Sequence, residues 1–80
     1  MDMPVTLDRL PVGQAASVVD IVGEEAMRRR LLDLGFTPEA EVRSLFRAAS
    51  GDPTAYMVRG AVIALRSAYA AGITVLPLLR

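Results

Sequence analysis

Eighty residues with nine basic and nine acidic side chains, a formal net charge of zero, already narrow what this protein can be. A chain of this length buries only about 60–65% of the surface its unfolded form exposes, so one small domain over residues 1–80 is expected, with no room for a catalytic domain beside a regulatory one. The lack of Cys and His removes disulfides and thiolate or imidazole metal sites, and zero net charge argues against a general nucleic-acid binder, which needs surplus positive charge along a phosphate track.

Hydrophobic residues make up 52% of the chain against 22% charged, which reads as globular and not disordered. Met1 to Val5 reads as a loose lead, without the basic and apolar regions of a signal peptide. No apolar run approaches the roughly 20 residues of a spanning helix. A cytoplasmic location is the expectation. Thr6 is placed to cap a single helical turn over Leu7 to Leu10, which Pro11 keeps from extending. Gly13 then opens a first strand, about Gln14 to Val22. Its alternation is broken, Ala16 and Val18 fitting one face and Val19 and Ile21 the other, which predicts a bulge or burial on both faces.

A helix is predicted from Gly23, with Met27, Leu31 and Leu34 forming one apolar stripe. Glu24 and Glu25 favour its first turn, and Glu24–Arg28 and Glu25–Arg29 are spaced as ion pairs. Gly35 suits a left-handed stop, with Phe36 folding back on the last turn. Thr37 to Ala40 is a turn into a second strand, about Glu41 to Ala48. Ser50 to Pro53 is the next turn. Further strands are expected over Thr54 to Arg59, with Tyr56 and Val58 on one face, and over Ala61 to Arg66, with Gly60 at the reversal. Ser67 is placed to cap a short helix ending at Gly72, and Ile73 to Leu76 is a last strand stopped by Pro77. The pattern is mainly β: about five short strands, one inserted helix and short helical turns, suiting a small barrel or sandwich with a core over about residues 7–77. Phe36 and Phe46 both read as core.

Chemistry-bearing groups are sparse. No serine has a plausible base beside it, and no phosphate-binding loop is present, so an enzyme is the least expected class. No cofactor is expected. Asp52 in Gly51-Asp52-Pro53 suits a backbone-bonding turn residue better than a cation ligand. The remaining carboxylates are scattered, so no selective iron site is expected. Four aromatic rings are too few for proline-peptide or single-strand stacking platforms. Two places suit a partner. Arg28, Arg29 and Arg30 form the one basic cluster, either a solvated face or a docking face. Leu32, on the polar side of the predicted helix, would anchor such a face. The tail, with Leu78 and Leu79, is apolar beyond the last strand; it either packs across a barrel end or makes a sticky edge that favours a homo-oligomer.

The ordered set RLLDLGFTP (Arg30 to Pro38), Gly51-Asp52-Pro53 and Ala64-Leu65-Arg66 resembles the FeoA family, small cytosolic accessory proteins of bacterial ferrous iron uptake, over nearly all of Leu7 to Val75. The resemblance implies an SH3-like barrel, a non-enzymatic role, and a partner: FeoB, the membrane iron transporter with a GTP-binding domain. FeoA-like chains usually carry Pro-Gly where this one has Pro38-Glu39. Two other readings compete: a small-barrel nucleic-acid-binding module, and a stand-alone relative of the SH3-like C-terminal domain of metal-dependent repressors, which that family pairs with a helix-turn-helix region not found here.

Overall fold

The computed structural model describes residues 3–78. Strands β1 (Val5–Thr6), β2 (Ala15–Ile21), β3 (Glu41–Arg47), β4 (Thr54–Val58), β5 (Ala61–Leu65) and β6 (Ile73–Pro77) form one sheet in the order β1-β6-β2-β3-β4-β5. Every neighbouring pair is antiparallel. A 3-10 turn, Leu7–Arg9, follows β1; helix α1 (Glu25–Asp33) joins β2 to β3, and α2 (Ser67–Ala70) joins β5 to β6. The sheet curls into an open small barrel around one apolar core drawn from every strand but β1, from α1 and α2, and from the 3-10 turn. Across the barrel, the Tyr56 hydroxyl of β4 donates to the Leu7 carbonyl at 3.4 Å.

The sequence pattern missed β1, reading Val5 as part of a loose lead. Two residues are too few to show alternation; the strand exists through its pairing, Val5 with Val75 and Thr6 with Thr74. Of the two readings of β2, a bulge or burial on both faces, the bulge is present: it lies between Val18 and Asp20 and leaves Val19 as the extra, exposed residue. A second bulge between Ser44 and Phe46 was not legible, and it corrects the placement of Phe46. One extra residue flips the side chains beyond it to the opposite face, so Phe46 is 61% exposed where Phe36 is fully buried.

Turns follow the backbone preferences of their residues. Gly35 sits at φ 114 past the end of α1, the Phe36 amide donates to the Leu31 carbonyl and the Gly35 amide to that of Leu32. This pair of bonds is the Schellman stop, and Leu31 and Phe36 pack in the core beside it. Arg59 and Gly60, both at positive φ, make the two-residue turn between β4 and β5, the twist-matched type I′. Asp52 caps α2 from the open end of the β4–β5 hairpin, two residues before Thr54 as Ser67 is two after its partner Leu65: its carboxylate accepts from the Ser67 amide at 2.8 Å and the Ser67 hydroxyl at 3.3 Å. Arg66, and not Ser67, is the cap residue, and it supplies no side-chain bond.

The phase of α1 also differs from the predicted stripe. Met27 and Leu31 face inward, but Leu34 is the cap residue beyond the last turn and is partly exposed. Leu32, expected on the polar side, is half-buried and packs against the core. The helix is nine residues long, and Met27, Leu31 and Leu32 all pack in or against the core, a wider apolar face than a single stripe.

Candidate interaction surfaces

Among the described residues no three His, Cys, Asp or Glu side chains gather as metal ligands. Asp52 is engaged as the cap of α2. Among the described residues, the titratable group moved from its ordinary value is the Tyr56 phenol, raised chiefly by burial, with the Thr54 hydrogen bond and the Arg47 charge pulling the other way. Tyr56 belongs to the core cluster, its hydroxyl donating to the Leu7 carbonyl and its ring paired across the sheet with the buried Ser44.

What the fold offers is surface. On α1, Arg28 and Arg29 both reach the Glu25 carboxylate, at 3.9 and 3.6 Å. The Glu25–Arg29 pair is the expected one; Arg28 turns to Glu25 instead of Glu24. Both pairs are exposed and worth a few tenths of a kcal/mol in order of magnitude, about what helical pairs give. Arg28 and Arg29 therefore share one face, and Leu32 borders it from a half-buried position. Leu78 lies apart from them, its amide bonded to the Ala15 carbonyl at 2.9 Å so that the chain continues along β2 beyond β6. Leu79 lies outside the described residues.

Sequence reasoning missed the outer face of β3, β4 and β5. Cross-strand register places Arg43, Met57 and Val62 in one row and Phe46, Ala55 and Ala64 in the next. Phe46 at 61%, Val62 at 55% and Met57 at 36% exposed leave an apolar patch there. The alternation in β4, with Tyr56 and Val58 inward, gives Met57 away; Phe46 has no such signal, because its side depends on the bulge. A groove of about 440 Å³ runs on the other side of β5, between that strand, α1 and α2, with Met27, Leu34, Ile63 and Tyr69 along it and Arg30 and Arg66 at its rim.

The FeoA domain profile matches residues 5–77. The chain belongs to the FeoA family. The FeoA protein of Chlorobium tepidum, solved in solution, is 37% identical with a TM-score of 0.88, the match covering 94% of this chain and 71% of that one. The FeoA of Stenotrophomonas maltophilia, solved as a zinc complex, is 32% identical with a TM-score of 0.79, covering 89% of this chain and 88% of that one. It is described as a prokaryotic SH3-domain protein and a candidate activating factor of bacterial ferrous iron transport. A manganese-dependent transcriptional repressor superposes with a TM-score of 0.85 at 22% identity, over 98% of this chain and 44% of its own, a likeness of fold alone. Comparison with curated proteins returned no match. The SH3-like architecture of this FeoA family member is thereby established, and its family is one of ferrous iron transport. No helix among the described residues is long and apolar enough to cross a membrane.

Proposed function

We propose that this FeoA family member is a non-enzymatic accessory factor of ferrous iron uptake that works in the cytoplasm by binding FeoB, the membrane transporter with a GTP-binding domain. Membership of the family over residues 5–77 carries the reading. The surface supports it: exposed apolar side chains on one sheet face, and arginines on α1, suit protein contact better than turnover of a small molecule. The proposed docking face is that of Arg28 and Arg29 with Leu32 at its margin. The rival is the tail with Leu78 and Leu79.

The test is co-purification. Tagged protein is passed over detergent-solubilised membranes containing FeoB, beside a variant carrying Arg28→Glu and Arg29→Glu. Arg29 is exposed and Arg28 partly so, and neither belongs to the core; they are chosen over Leu32, whose replacement would disturb it. Wild type is expected to retain FeoB and the variant to lose about tenfold or more of it, with thermal unfolding unchanged within a few degrees. Absence of FeoB from the wild-type eluate overturns the partner. Full retention by a folded variant overturns the α1 face and leaves the tail.

A further inference from the structure

The strand order leaves β5 at an edge, with β4 on one side and, among the described residues, no strand on the other. Its sequence is Ala61-Val62-Ile63-Ala64-Leu65. Exposed edges are normally blunted by charge, proline or a bulge. β5 has no charged residue and no proline, and its register with β4 runs unbroken from Val58–Ala61 to Thr54–Leu65. The two-residue turn makes Val58–Ala61 a hydrogen-bonded pair, and in an antiparallel ladder such pairs alternate with open ones. Ile63 and Leu65 therefore bond to β4, while the backbone N–H and C=O of Val62 and Ala64 point away from it, along the free edge.

Both flanks of that edge are apolar. Val62 and Ala64 belong to the outer patch, and Ile63 borders the groove with Met27 and Leu34. Among the described residues the groove's charges are of one sign: Arg30 and Arg66 line it, and no acidic residue does. Neither guanidinium forms an ion pair among the described residues, in contrast to Arg28 and Arg29, which share Glu25. An open strand edge, apolar on both sides, with unpaired arginines beside it, is complementary to an extended segment carrying alternate apolar and acidic side chains. We propose that the β5 edge docks an extended acidic peptide segment of a partner protein, which adds to the sheet antiparallel or parallel to β5 through the backbone of Val62 and Ala64. Main-chain bonds supply affinity in this mode, and the side-chain flanks supply selectivity. The arginines make the segment acidic. A second copy of this chain is the poorer occupant, because its own β5 brings no carboxylate to either arginine.

The inference is independent of FeoB as partner, since its probe is synthetic. A blocked, fluorescein-labelled heptapeptide alternating valine with glutamate is titrated with the full chain, and anisotropy is read at low and high salt. Two control peptides accompany it, one with lysine for glutamate and one N-methylated at alternate residues to remove its edge donors. Saturable binding that weakens with salt is expected for the glutamate peptide, with both controls at least about tenfold weaker. Amide shifts in NMR are expected to centre on Val62 and Ala64. The double variant Arg30→Ser, Arg66→Ser should bind about tenfold less tightly with its fold intact. Equal binding of the lysine or the N-methylated peptide overturns the proposal. So do shifts centred away from β5, or a free protein that sediments as a dimer which the peptide does not dissociate.

Discussion

Glu39 holds a backbone conformation at odds with its side chain. Its φ is 72, and the Ala40 amide donates to the Thr37 carbonyl at 2.9 Å, closing a turn with Pro38 and Glu39 at its centre. Proline followed by positive φ is the type II arrangement, which favours glycine at the second central position. The Pro-Gly of FeoA-like chains implied this turn, and the geometry has survived the change to Glu39. Glu39→Gly is expected to stabilise the protein by about 0.5–1 kcal/mol, the relieved strain exceeding the added freedom of the unfolded chain. Denaturant titration measures it; a loss of stability would mean that the Glu39 side chain contributes more than its backbone costs. Phe46 shows the converse. Its residue type favours burial, yet register decides its side, and an exposed phenyl ring results.

At the scale of elements, α1 is where periodicity and packing diverge. Leu31 is 2% exposed, and Leu31→Ala should cost about 2–5 kcal/mol, as buried leucines do. Leu32 follows it by one residue and would point to solvent if the helix buried a single narrow stripe. It packs on the core instead, so Leu32→Glu is expected to destabilise by about 1–3 kcal/mol by bringing a carboxylate against apolar neighbours. Thermal or urea unfolding of both variants decides the matter: a change within about 0.5 kcal/mol for Leu32→Glu would return Leu32 to the surface. The same reasoning explains why Arg28 and Arg29 are a better probe of docking than Leu32, since neither packs against the core cluster and Leu32 does.

At the scale of the molecule, Tyr56 ties β4 to the 3-10 turn that follows β1, 1% exposed and bonded to the Leu7 carbonyl. Burial raises its phenol pKa against the smaller opposing effects of Thr54 and Arg47. A raised folded value means that the neutral phenol is favoured in the native state. Its contribution to stability is complete below the unfolded value near 10 and is lost as pH rises through the higher folded value. Unfolding free energies measured between about pH 8 and 11 should fall at the alkaline end, and Tyr56→Phe should flatten that fall. An unchanged slope in the variant would place the titration elsewhere.

The mainly β class, the order of the elements after residue 6 and the helix stop at Gly35 were legible in the chain, because each rests on local chemistry: turn residues, alternation, and a glycine where φ is positive. The broken alternation of β2 left a bulge as one of two readings, and the resemblance to FeoA rested on an ordered set of motifs. The absence of Cys and His narrowed the metal chemistry by composition alone. What the tertiary structure decided depends on partners distant in sequence. β1 exists through β6, Asp52 caps a helix fifteen residues on, and Leu32 is drawn to the core by the way α1 seats. The exposure of Phe46 follows from a bulge and the open β5 edge from a strand order, and neither leaves a mark on the residues that flank it. A strand's side chains report which face is buried; its backbone, the same for every residue, says nothing of whether a neighbour is there to pair with it.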